Sequence, residues 1–349
     1  MSNYDQFAAA VKEISGGKNI VLLDDLGLPS IYVPVNKRKN SEIISKGSEN
    51  THPAFSVNGV EKSRFFYSKY QNVIINGRAY SLSHRDPQVN VNFDQARQAC
   101  EAKGSGFHLG TLAEWAAVAL LTRKMGTMPR GNNNYGSDSV YTDEKGQESS
   151  KNGNNTGRTF TGSGPATWGH DHTQFGIQDM NGNVWEWLSG MRLKEGEIQI
   201  IAYNNAALGS ECDMSASSTL WKAIKNDGSL VAPGTAATLK YDFVSGNIQL
   251  TTGITSAQDA GRGGSYTAMT LASGVTAPEL AKALILYPDE PDKDYGGDYH
   301  WMNNAGERLP VAGGNWYSGA SAGVFYLDLR SARFGSSGNL GFRSAYVEL

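Results

Sequence analysis

The stretch FGIQDMNGNVWEWLSG, at residues 175–190, sets the tightest limit on what this chain can fold into. Trp185 and Trp187 flank Glu186, the period-two spacing of a short, half-buried strand. Gly182, just ahead of them, permits a tight left-handed turn. Large aromatics at this density anchor a core where regular structure is sparse. The segment therefore predicts a framework of turns and short strands pinned by aromatic side chains. Composition agrees: 41 glycines, 16 tyrosines and 7 tryptophans in 349 residues suit a loop-rich chain better than a helical bundle.

Around that segment the pattern alternates between short elements. Residues 4–15 read as an amphipathic helix with Phe7, Val11 and Ile14 on one face. Strands are expected at 20–23, 31–35, 64–70 and 73–75, and a soft domain boundary near residue 60 sets off residues 1–60 as a small N-terminal module. Asn92 is placed to cap a helix from Phe93 to about Ala102, and Thr111-Leu-Ala-Glu114 is a capping box opening a second helix to about Lys124. Leu112, Trp115, Ala119 and Leu120 would form its buried side. Residues 126–169, rich in Gly, Asn, Ser and Thr, are a long loop of the kind that is uncommon unless functional or well pinned. Residues 191–300 read as an elaboration inserted into the core fold, with strands near 198–202 and 248–252.

Several function classes lose support at this level. The formal net charge of −3 leaves no electrostatic footprint for nucleic acid or an anionic membrane. No stretch is long and apolar enough for membrane insertion, and the N-terminus does not read as a secretory signal. Cys100 and Cys212 are too few for a disulfide framework and are expected as buried thiols. The motifs HExxH and the P-loop are missing. His170-Asp171-His172 is a metal-type cluster with nothing else at ligand spacing, so solvated loop histidines are the simpler reading. Glu290-Pro291-Asp292 reads as a charged surface turn.

Four separated segments carry a family resemblance: residues 91–119, residues 175–190, GRGGSY at 261–266 with GGNWYSG at 313–319, and RSARFGSSGNLGFRSA at 330–345. Their order and content resemble the formylglycine-generating-enzyme (sulfatase-modifying factor) branch of the C-type lectin fold. The resemblance implies an α+β, C-type lectin-like domain over 61–349, loop-rich, with short antiparallel strands, two helices and the large insertion. It also implies a test of activity. The enzyme uses a pair of C-terminal thiols, one directly after the GFR string. Here that position is Ser344, and the region of the other thiol, 330–334, has no cysteine. A hydroxyl cannot replace a low-pKa thiolate as redox nucleophile or copper ligand. No cofactor is required on this reading. Calcium is admitted, since family members bind it through the GNVWEW turn and the matching positions are Asp179, Gly182, Val184 and Glu186, an oxygen set suited to a hard cation.

The C-terminal stretch adds a compositional anomaly. From residue 314 to 343 there is no Lys, Glu, Gln or Met, types that make up about a sixth of the rest of the chain. Randomising the adenines of an AAC codon never yields those four. Within 313–345, framework-type residues alternate with AAC-reachable ones: Tyr317, Ser318, Ser321, Tyr326, Asp328, Arg330, Ser331, Phe334, Gly335, Ser336 and Ser337. The window resembles the variable region of diversity-generating-retroelement variable proteins, which use this lectin-type fold and expose their variable residues as a binding face. The alternation Tyr326-Leu327-Asp328-Leu329-Arg330 is expected to point the leucines inward and the others to solvent. Tyrosine, phenylalanine and arginine are binding hot-spot types, and serine and glycine supply adaptable contacts. The expected function is non-enzymatic binding of a protein or glycan receptor on a target cell, from a phage tail or a cell surface, with a homo-oligomer compatible. The alternatives are an oxidase of the formylglycine-generating type without its thiols, and a structural virion protein.

Overall fold

The computed structural model describes residues 3–349, and its two principal helices begin where the capping signals place them. The Asn92 side chain accepts from the Gln95 amide and opens the helix Phe93–Glu101. Thr111 and Glu114 close a reciprocal capping box ahead of Leu112–Met125, and Gly126, at φ +70°, ends that helix in the left-handed conformation. The expected inner side, Leu112, Trp115, Ala119 and Leu120, is buried, together with most of the remaining helix surface.

Two sheets enclose this helix. The smaller runs in the order Ile20–Leu23, Pro29–Asn36, Arg64–Ser68, Ser344–Tyr346, Phe107–Leu109. Residues 1–60 are therefore no separate module. Tyr32 to Asn36 pair with Arg64 to Ser68, and Ile43, Ile44, Ala54 and Phe55 enter the main core beside Trp115. Charged residues at 36–52 mimic a linker in sequence because only their short helix Asn40–Ile43 and the turn after it carry apolar groups inward. The N-terminal helix Asn3–Ile14 has no buried residue, so the expected apolar face of Phe7, Val11 and Ile14 stays largely uncovered.

The larger sheet passes from Arg262–Ser265 through Tyr299–Met302, Leu327–Ser331 and Glu307–Ala312 to Met191–Lys194, Glu197–Ile201, Lys240–Val244 and Asn247–Thr251. Residues 191–300 thus extend this sheet at both ends. Leu193, Ile198, Ile200, Tyr241 and Leu250 share one core with the long helix. Most pairings are antiparallel, but Tyr299–Met302 runs parallel to Leu327–Ser331, and Trp185–Trp187 runs parallel to Leu340–Phe342. The result is the expected α+β class, with few helices and many short strands.

The loop at 126–169 is pinned chiefly by polar side chains, its regular structure being confined to the short strands Lys151–Asn152 and Asn155–Thr156 and the turn Ala166–Trp168. Asn132 bonds the Gly157 carbonyl and the Gly136 amide, and the Asp138 carboxylate receives the amides of Gly131, Val140 and Tyr141. Satisfying buried main-chain groups this way lets a long irregular segment stay ordered. No helix among the described residues is long and apolar enough to cross a membrane.

Candidate functional site

The tail strand Leu327–Ser331 lies in the middle of the larger sheet, hydrogen-bonded on both sides. Leu327 and Leu329 point into the main core, as the alternation predicts. The opposite face is more covered than expected. Tyr326 is 7% exposed and Asp328 5%, which corrects the expectation that both face solvent. Their cover comes from the neighbouring strand, whose register sets Trp301 opposite Asp328. The Trp301 indole N–H donates to the Tyr326 hydroxyl at 3.0 Å, and Tyr326 packs edge-on against Trp185 at 4.5 Å. Arg330 forks onto Asp328 and lies 4.0 Å over the Trp301 ring. Burial raises the Tyr326 hydroxyl pKa to about 12, so it remains a neutral hydrogen-bonding group.

What reaches solvent is the rim around that layer. Tyr317 is 50% exposed and Phe334 82%. Ser336 and Ser337 are exposed, and Ser318, Ser321, Arg330, Ser331 and Gly335 are partly so. Their supports are rigid. Arg333 ties the Phe334 loop to Glu307, Asp94 and the Met214 carbonyl, while Asn90 donates its amide to the Ser337 carbonyl. The Asn339 side chain donates to the Tyr317 hydroxyl at 2.7 Å. Ser318 differs from the other serines, since its hydroxyl closes a turn with Asn315. Sequence reasoning missed Tyr299 and Trp301, half-buried residues of the same face, 5.1 Å apart ring to ring. They sit in the insertion, and only strand pairing brings them to the tail.

The four positions expected to offer oxygens to calcium do converge, but a nitrogen occupies their centre. Gln71 Nε2 lies 3.2 Å from the Asp179 carbonyl, 3.5 Å from that of Gly182, 3.1 Å from that of Val184 and 3.1 Å from Glu186 Oε1. Asn183 donates to Gln71 Oε1 at 2.8 Å, which fixes the orientation of the amide. Arg343, wholly buried, adds a bidentate pair to Glu186 at 2.7 Å for each bond. A side-chain amide and a guanidinium supply the positive partners that a cation would supply, and a divalent ion beside that guanidinium would be repelled. The residues present do not fit calcium. Asp179 turns its carboxylate elsewhere: one oxygen accepts from the Gly162 amide, the other has no partner, and burial raises its pKa to about 6.

The thiol positions hold no reactive group. Ser344 is fully buried, its hydroxyl 2.8 Å from those of Tyr32 and Ser68. Cys100 and Cys212 are free and buried at other places, and burial raises both thiol pKa values, that of Cys212 to about 11. His170 and His172 bond the Ile177 amide and the Met128 carbonyl, and no group of three metal-type side chains gathers among the described residues. Glu290 pairs with Arg123 in an exposed turn.

The sulfatase-modifying factor enzyme 1-like domain model matches residues 32–273. No curated protein matches the chain. Among solved structures, Treponema denticola variable protein 1 aligns with 94% of this chain and 98% of its own at 12% identity and a TM-score of 0.34. PvdO from Pseudomonas aeruginosa aligns over 93% and 97% at 13% identity and a TM-score of 0.38. The P3c variant of the Major Tropism Determinant aligns over 94% and 71% at 10% identity and a TM-score of 0.31.

Proposed function

The chain belongs to the sulfatase-modifying factor enzyme 1-like domain family, and from that premise we propose that it is a non-catalytic member that binds a receptor through its C-terminal face. One observation carries the reading. A window without Lys, Glu, Gln or Met presents Tyr317, Phe334 and a set of serines to solvent from a framework whose other side chains are locked. Rigid aromatics with small polar neighbours give contact area at low entropic cost. The hydroxyl at Ser344 and the two displaced thiols remove the redox nucleophile that the family's oxidase chemistry requires.

On this reading the exposed positions are those diversified at adenines, and Tyr326 and Asp328 change only with compensation from their cover. The partner is a protein or glycan receptor on a target cell, met from a phage tail or a cell surface. The double variant Tyr317→Ala/Phe334→Ala tests the proposal. It should keep the wild-type melting temperature and lose adsorption to the target cell, since both side chains contribute little to the fold. Undiminished adsorption by a folded double variant would refute the assignment. Resequencing the 313–345 coding region across a population should, in parallel, find substitutions at adenines and almost nowhere else.

A further inference from the structure

Beside the exposed rim, a cleft of about 560 Å³ opens between the loop at 126–141, the turn at 294–298 and the start of the tail at 320–323. Its floor holds Asp298, 2% exposed. One carboxylate oxygen, Oδ2, accepts from the Phe325 amide at 2.7 Å. The other, Oδ1, accepts no hydrogen bond and sits between two glycines that line the cleft. A Cβ on Gly323 would come within 2.1 Å of it, and one on Gly296 within 3.2 Å. Keeping both positions bare leaves this oxygen room at the cleft, where it meets no protein donor.

The other charged groups of the cleft are already matched. All three hydrogen bonds to Asp138 come from main-chain amides. Arg130 pairs with Glu144 and lies over the Tyr141 ring, and the His172 ring bonds the Met128 carbonyl. Asp294 lies exposed at the rim, where it adds a second negative charge. Burial, reinforced by Asp294, raises the Asp298 pKa to about 8, although the Phe325 amide opposes the rise. The carboxyl therefore lacks a positive partner that would hold it ionised.

We propose that this cleft takes a primary ammonium group, the side chain of a lysine on the receptor, with Asp298 Oδ1 as its acceptor. A single free oxygen suits the compact point charge of an ammonium better than the planar fork of a guanidinium, which prefers two. The inference rests on the binding function proposed above and deepens it: the exposed rim would read the variable part of a receptor while framework residues grip a constant lysine next to it.

The test uses the full chain and Nα-acetyl-lysine amide as the probe, followed by chemical-shift changes at Gly296, Gly323 and Phe325. Asp298→Asn keeps an acceptor for the Phe325 amide and removes the carboxyl that a bound ammonium would hold ionised. It should weaken probe binding by about tenfold or more, the loss expected when a charge-assisted hydrogen bond is removed. Ala320→Arg, on the exposed rim, leaves Asp298 and its bond to Phe325 in place and brings a tethered cation to the mouth, so it should block the probe as well. Glycinamide, whose only amine is an α-amine, and Nα-acetyl-arginine amide should each bind more weakly than the lysine probe. Equal binding by wild type and both variants, or no shift at these three residues, overturns the inference. Adsorption separates the two readings: loss in Tyr317→Ala/Phe334→Ala with full adsorption by Asp298→Asn refutes only the cleft, and the reverse pattern refutes only the rim.

Discussion

At the scale of single residues, the interior around the GNVWEW turn is held by charges and amides in place of an ion. Gln71 faces three carbonyls and a carboxylate, all buried, so its loss strands several acceptors at once. Gln71→Ala should cost about 2–3 kcal/mol, measured by denaturant unfolding, because each unsatisfied buried acceptor carries a desolvation penalty. Millimolar calcium or a chelator should leave the wild-type melting temperature unchanged; a clear rise with calcium would show that an ion displaces the amide. Asp298 gives a second residue-scale prediction. Its folded pKa, about 8, lies above its ordinary value of 3.8, so the stability it lends is full below about 3.8 and is lost as pH rises towards 8. Buried His52, His170 and His300 act with the opposite sign, since burial lowers their pKa values to about 4, 4 and 3 and stability is lost as pH falls below 6.5. The difference between wild type and Asp298→Asn isolates the aspartate: the variant should gain stability relative to wild type as pH rises from 4 to 8. A pH-independent difference would place its titration elsewhere.

At the scale of elements, the tail strand shows what an alternating pattern can and cannot tell. The pattern gives the side of the strand to which Leu327 and Leu329 turn, because period two is a property of the backbone. It cannot tell whether the other side meets water, since that depends on the strand next door. Here the parallel partner Tyr299–Met302 comes from the insertion and lays Trp301 over Asp328 and Tyr326. The exposed ends of the same window, Tyr317 and Phe334, escape this cover. Tyr326→Ala should therefore cost about 3 kcal/mol or more, as for a large aromatic removed from a packed layer, whereas Tyr317→Ala and Phe334→Ala should each change stability by about 0.5 kcal/mol or less. Equal losses at all three positions in thermal unfolding would contradict the assignment of rim and layer. The cap at Asn92 and the capping box at Thr111 were legible for a related reason: each signal and its consequence lie within one helical turn. The calcium-type turn was legible as a convergence of oxygens at Asp179, Gly182, Val184 and Glu186. Its filling by Gln71, more than a hundred positions earlier, was not.

At the scale of the whole molecule, the ends of the chain close the fold upon each other. Ser344–Tyr346 lies between Arg64–Ser68 and Phe107–Leu109, and Arg64–Ser68 pairs in turn with Pro29–Asn36. A polar run such as 36–52 reads as a linker when only its composition is seen. What refutes this is the entry of Ile43 and Ile44 into the main core that also holds Trp115, a long-range association that composition does not display. The two ways of shortening the N-terminus should consequently differ in kind. Removing residues through Ile14 deletes a helix with no buried side chain and should shift the melting temperature by a few degrees at most. Removing residues 1–60 deletes two strands of the smaller sheet, uncovers the edge of Arg64–Ser68 and takes six side chains from the main core. Such a bared edge is a template for aggregation, so the 61–349 fragment should fail to give a cooperative thermal transition and should accumulate as insoluble protein. A soluble 61–349 fragment with a wild-type melting temperature would instead mean that the first sixty residues are a dispensable module docked onto a finished domain.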